Sequence, residues 1–118
     1  MISRIAAVRI FTTQLDRARR FYGDTLGLGG RRDGPGYSVF TLAGTDVVVE
    51  GIDVDDAEAA GLVGRFLALS FAVDDITQAY EELRRRGVTF TAPPRREPWG
   101  GILAHARDPD GNVFTLVG

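Results

Sequence analysis

The side chains available for chemistry are few. The chain has one histidine, His105, and contains neither cysteine nor lysine. Disulfides, thiolate zinc sites and cysteine nucleophiles are therefore excluded, and so are Schiff-base and lysine general-base mechanisms. Acid–base work is left to His105 and the carboxylates. Paired with Glu50, at the end of the apolar run Asp46-Val47-Val48-Val49-Glu50, His105 would form an acid–base couple or a rudimentary metal site, provided the fold brings the two together. Without such a partner, a lone strand histidine is a structural residue. Arg9 is the other unusual residue, a cation inside the strand-like run Ala6-Ala7-Val8-Arg9-Ile10-Phe11-Thr12. It either pairs with Glu50 or holds an anionic ligand. If it pairs, the site is neutral and suits a flat aromatic or polycyclic molecule better than a phosphate. Phe11, Tyr37 and Trp99 are the candidate walls, equally suited to core or dimer packing. Trp99 leads this group because it lies in the Pro98-Trp99-Gly100 loop, where a large aromatic needs a ligand or a partner surface to cover it.

The elements that position these residues can be read from pattern. An amphipathic helix is expected from Arg17 to Leu26, capped by Asp16, with Ala18, Phe21, Tyr22, Thr25 and Leu26 on one face and Gly27 as its stop. Strands follow at Tyr37 to Leu42 and Asp46 to Ile52. The same order returns later, with a strand from Phe66 to Val73, a cap at Asp74 or Asp75, and a helix presenting Ile76, Ala79, Tyr80 and Leu83. Gly87 stops that helix. Further strands are expected at Thr89 to Thr91, Ile102 to Arg107 and Val113 to Val117. Between the last two, Asp108-Pro109-Asp110-Gly111-Asn112 reads as a tight hairpin turn, with Pro109 presetting the first turn position and Gly111 supplying a positive φ.

The order is βαβββ, twice. A shift of 61 residues superposes Ala7 on Ala68, Ile10 on Phe71, Leu15 on Ile76 and Ala18 on Ala79, which supports an internal duplication. The expected organisation is one domain over 1–118, with modules at 2–52 and 65–118 joined by an acidic, alanine- and glycine-rich linker at 53–64. Alternation turns Val8 and Ile10 toward the first helix and leaves Ala7, Arg9 and Phe11 opposite. In the second module Leu69, Phe71 and Val73 face the helix, while Ala68, Ser70 and Ala72 line the other side.

Composition bounds the partners. The chain is 44% hydrophobic and 25% charged, as in a globular protein, with a formal net charge of −2. No broad basic field exists for nucleic acid, and Arg84-Arg85-Arg86 is read as helix-end chemistry. No run approaches a membrane span and no apolar signal core follows Met1, so a cytoplasmic location is expected.

With its paired βαβββ modules, the Phe21-Tyr22 helix before Leu26-Gly27-Leu28, the Pro98-Trp99-Gly100 loop and the Asp-Pro-Asp-Gly-Asn turn, the chain resembles the vicinal oxygen chelate superfamily, which includes glyoxalase I, bleomycin resistance proteins and extradiol dioxygenases. The resemblance spans nearly the whole chain. It implies an α+β fold of two curved half-barrel sheets with helices on their outer faces, a cavity, and a homodimer. It also implies metal ligands on the first and last strands of each module, at positions that fall here on Ala7, Glu50, Ala68 and Thr115. Only Glu50 is a competent ligand, so a metal-free member is expected, with a divalent cation at Glu50 as the weaker alternative. The expected function is binding or sequestration of an apolar or aromatic small molecule through Arg9, Phe11, Tyr37, Glu50, Trp99 and His105. The alternatives are a lyase or isomerase with Glu50 as base and His105 or a bound cation stabilising an enolate, and a protein-interaction module.

Overall fold

Strand-forming runs rich in β-branched and aromatic residues alternate with two helix-forming stretches, and the computed structural model, which describes residues 1–118, arranges them as two α+β units, Met1–Val63 and Gly64–Gly118. The first unit contains β1 (Ala7–Thr12), α1 (Leu15–Arg19), β2 (Arg32–Gly34), β3 (Tyr37–Leu42), β4 (Thr45–Gly51) and a single helical turn, α2 (Ala57–Ala60). The second contains β5 (Phe66–Ala72), α3 (Ile76–Arg85), β6 (Thr89–Phe90), β7 (Arg95–Arg96), β8 (Ile102–Arg107) and β9 (Val113–Val117). Each unit has an open, curved sheet. The first is ordered β1-β4-β3-β2, and the second β5-β9-β8-β6 with β7 also on β8. In both, the first strand runs parallel to the last, and the remaining pairs are antiparallel. No helix is long and apolar enough to cross a membrane.

Alternation sorts the first sheet into two faces. Ile10, Phe40, Val47 and Val49 are buried on the helix side with Ala18, Phe21 and Tyr22. The first helix differs from its sequence reading at both ends. Asp16 does not cap it: Gln14 occupies the cap position without a side-chain bond, and the Gln14 N–H donates to Thr12 Oγ1 at 3.1 Å. Asp16 sits in the first turn, where its carboxylate accepts from Arg19 at 3.1 Å. After Arg19 the helix widens into a π-helical segment, Arg20–Thr25, closed by the Leu26 N–H donating to the Phe21 carbonyl at 2.8 Å. This segment holds Phe21 and Tyr22 edge to face at 5.1 Å, and Gly23 lies so close to Phe40 that an added Cβ would stand 3.3 Å from its ring.

The helix is fastened to the sheet by a polar cluster. Arg19 Nε donates to Ser38 Oγ at 2.6 Å and its terminal nitrogen to the Tyr37 carbonyl at 3.0 Å, while Ser38 Oγ donates to Asp33 Oδ1 at 2.6 Å. Arg31 adds two bonds to Asp33, at 2.9 and 3.0 Å. Hydrogen bonds from Arg31 and then Ser38 bring the Asp33 carboxyl down to about 2 from its ordinary 3.8.

In the second unit α3 buries Ile76 and Leu83 against a sheet whose core is Ala104, Ala106, Phe114 and Leu116. Asp75, one of the two expected caps, accepts from the Gln78 N–H at 3.0 Å. The helix ends at Gly87, with φ 90°, where the Val88 N–H reaches back to the Leu83 carbonyl at 2.9 Å. The hairpin turn forms as its residues dictate: the Gly111 N–H donates to the Asp108 carbonyl at 2.9 Å. Its outer residues do more than turn the chain. Asp108 Oδ1 accepts from the N–H groups of Asp110 and Asn112, each at 2.9 Å, and Asn112 Nδ2 donates to Asp108 Oδ2 at 2.9 Å. Asn112 Oδ1 then accepts from the Gly64 N–H at 2.8 Å, tying the turn to the entrance of β5.

Two short strands, β2 and β7, arise in stretches to which the sequence reading assigned no strand. Both lie on sheet edges, where arginine side chains reach water and little apolar pattern is required. The 53–64 stretch likewise contains the α2 turn, capped by Asp56 Oδ1 accepting from the Glu58 and Ala59 N–H groups at 3.0 and 3.3 Å.

Candidate functional site

The open face of the first sheet brings four of the expected site residues together. Register places Phe11 beside Glu50 and Glu50 beside Tyr37, with Arg9 beside Val48 and Val48 beside Val39 one step along. Because side chains alternate, all six project from the face opposite the helix. Arg9 Nε and its terminal nitrogen donate to the two carboxylate oxygens of Glu50 at 2.7 and 2.9 Å, a bidentate pair. The same guanidinium lies over the Phe11 ring, 5.2 Å from its centroid. Arg9 thus takes the blander of its two expected roles, pairing with Glu50. Its hydrogen bonds hold the Glu50 carboxyl below the usual carboxylate range, with partial burial pulling the other way and the charge of Arg9 adding to the lowering. A second ion pair, Arg32 to Asp46 at 3.5 Å, lies on the same face.

Next to this pair is a concavity of about 520 Å³, bordered by Tyr37, Val39, Val48, Glu50 and the Pro35-Gly36 turn. The volume falls within the range of sites for organic small molecules. Its floor is apolar, its side is an aromatic ring that is 41% exposed, and its one carboxylate is already neutralised. Val39, Val48 and Pro35-Gly36 were not singled out in the sequence. Alternation does carry a signal for the valines, since both fall on the parity of Glu50 and Tyr37 once the β3–β4 register is known.

His105 projects from the open face of the second sheet. Its Nδ1 is 2.8 Å from Thr115 Oγ1, the cross-strand neighbour on β9, and its ring meets Phe66 edge to face at 6.0 Å. The bond partner of the histidine is therefore a hydroxyl on the last strand. Trp99 lies between β7 and β8 in a turn closed by the Gly100 N–H donating to the Glu97 carbonyl at 2.9 Å. At 67% exposed, it borders neither the 520 Å³ concavity nor a smaller one beside His105.

The donor set does not fit a divalent cation. Of the four positions implied by the resemblance, Ala7 and Ala68 offer no donor. Thr115 is engaged with His105, and both oxygens of Glu50 face Arg9. Within each sheet no three His, Asp or Glu side chains gather into a group able to hold a metal ion.

Comparison with known proteins agrees with this architecture. The family model of the Glyoxalase/Bleomycin resistance protein/Dioxygenase superfamily matches residues 4–116. An uncharacterized protein of Bacillus subtilis (strain 168), YetH, is 27% identical, over 98% of both chains. A superfamily member from Sphaerobacter thermophilus, solved by crystallography, is 31% identical with a TM-score of 0.82, covering 98% of this chain and 97% of that one. The crystal structure of UcmS2 is 25% identical with a TM-score of 0.84, covering 99% and 98%. The chain belongs to the glyoxalase/bleomycin resistance protein/dioxygenase superfamily.

Proposed function

We propose that this protein binds an apolar or aromatic small molecule without a metal, on the open face of its first sheet, and acts by sequestering it. The observation that carries the reading is the Arg9–Glu50 pair. The one carboxylate at a metal-ligand position is engaged at both oxygens by a guanidinium from the neighbouring first strand. Beside it lies an apolar concavity of about 520 Å³ with the Tyr37 ring at its edge. A neutral, partly aromatic surface of this kind gains by burying flat apolar area, whereas a phosphate or other strong anion meets no unpaired cation among its lining residues. Tyr37 stacks on the ligand, Val39 and Val48 form the floor, and Phe11 extends the aromatic surface across Glu50. His105 and Trp99 belong to the second unit and are not among the residues that border this concavity. The proposal takes the protein to be a homodimer, as the family resemblance implies, and its location to be cytoplasmic.

The same pair argues against Glu50 as a base that takes a proton next to a carbonyl. A carboxylate held below its ordinary range by hydrogen-bonded guanidinium is a weaker base, and the proton transfer would first have to break two charge-assisted bonds. The test is an NMR screen of the isotope-labelled chain against planar aromatic fragments, repeated with Tyr37→Ala and Val48→Arg. Saturable shifts at Tyr37, Val39, Val48 and Gly51 that vanish in both variants support the reading. Shifts confined to other residues, or untouched by the variants, overturn it.

A further inference from the structure

The second unit has a concavity of its own. About 190 Å³ in volume, it is floored by Leu103 and His105 of β8 and walled by Thr91, Pro93, Arg95 and Glu97. Arg95 is the register partner of Leu103, and Glu97, two residues further along an extended segment, projects the same way. The two charged side chains flank the opening together, yet neither enters an ion pair with the other or with any residue of the protein. The carboxylate is half-buried and the guanidinium exposed. At the floor, the His105 Nδ1 is 2.8 Å from Thr115 Oγ1 and the ring meets Phe66 in a T-shaped contact, which leaves Nε2 as the ring nitrogen without a protein partner.

We infer that this concavity is a site for a small zwitterion of the α-amino-acid type, its carboxylate on Arg95, its ammonium on Glu97, and its body against Leu103 and His105. The charge pattern selects the ligand. A simple anion drawn to Arg95 is repelled by Glu97, and a simple cation drawn to Glu97 is repelled by Arg95. A molecule carrying both signs a few bonds apart satisfies each with its opposite. Arginine suits the carboxylate end because its planar fork donates to both oxygens at once. The volume is below that of drug-sized pockets and admits a compact ligand. This inference rests on the second unit alone and does not depend on the function proposed for the first.

The experiment is an NMR titration of the labelled full chain with glycine, L-alanine, L-serine, L-leucine and L-glutamate, each to about 10 mM, which reaches millimolar affinities. N-acetyl and carboxamide forms of glycine, L-alanine, L-serine and L-leucine serve as single-charge controls. The expected result is saturable shifts at Arg95, Glu97, Leu103 and His105 for at least one free amino acid, with both blocked forms about tenfold weaker or worse. Arg95→Gln and Glu97→Gln are each expected to weaken binding about tenfold while the rest of the spectrum keeps its wild-type pattern, which verifies the fold. Absence of saturable shifts for every free amino acid, equal binding of the blocked forms, or shifts that persist unchanged in both variants would overturn the inference.

Discussion

Asn112→Ala is expected to destabilise the protein by about 2.5–4 kcal/mol. Asn112 is 0% exposed and Asp108 6% exposed, so the bond between them forms away from water. The substitution removes the Nδ2 donor that reaches Asp108 Oδ2 at 2.9 Å and the Oδ1 acceptor that receives the Gly64 N–H at 2.8 Å. Loss of a donor to a buried carboxylate costs roughly 1.5–3 kcal/mol, and loss of the Gly64 bond about 1 kcal/mol, since Gly64 is exposed and water takes over part of that bond. Urea unfolding followed by circular dichroism is the assay: the midpoint falls while the slope is unchanged, and the thermal midpoint drops by an amount on the order of 10 °C. Asn112→Asp separates the electrostatic part. It sets a second carboxylate beside Asp108 and raises the pair's affinity for a proton above that of the unfolded chain. Its penalty is therefore full at neutral pH and shrinks as pH falls through the raised value. A loss below about 0.5 kcal/mol for Asn112→Ala would refute the reasoning, because it would mean that the turn residues alone hold the hairpin and its link to Gly64.

Three further outcomes follow from local geometry. In Arg9→Gln, the Glu50 carboxyl is expected to titrate higher than in the wild type, because the guanidinium that lowers it is gone; carboxyl NMR across an acid titration reads this directly. Asp33 is lowered from 3.8 to about 2, so its contribution to stability is full above the unfolded value and is lost as pH falls through about 2. Urea midpoints of wild type and Asp33→Asn should accordingly converge between pH 5 and pH 2. Ala68, at φ 54° in the irregular stretch of β5 between Phe66 and Ser70, occupies a conformation that branched side chains resist. Ala68→Val is expected to cost about 1–3 kcal/mol and Ala68→Gly to be neutral or mildly stabilising, as measured by the same unfolding curves.

The sequence was legible where one local rule dominates. Alternation in Ala7–Thr12 and Phe66–Ala72 separated the helix-facing residues from Arg9, Phe11, Ser70 and Ala72, because period two leaves only two choices and one face must be buried. Pro109, Asp110 and Gly111 announced a turn for the same reason. What stayed hidden depends on distant partners. Asp16 looks like a cap by type, but the backbone enters the helix two residues earlier, after Thr12 has accepted the Gln14 N–H. The π-helical widening at Arg20–Thr25 has no local composition signal, and the closeness of Gly23 to Phe40 emerges only once the helix lies on β3. Arg19, which no sequence pattern singles out, is the residue that anchors the helix to Ser38. In the candidate site, Arg9 and Glu50 were recognisable as a pair, yet the Val39–Val48 floor required the register of β3 on β4, and Trp99, in its proline- and glycine-bounded loop, does not border that floor.

Arg9 engages both Glu50 oxygens, the donors a metal ion would need there. Calorimetric titration of the purified protein with Ni²⁺, Zn²⁺ and Mn²⁺ tests this most directly, with Glu50→Gln as the control. The account predicts no saturable heat that Glu50→Gln removes. One equivalent of tightly bound metal, lost on Glu50→Gln, would contradict it.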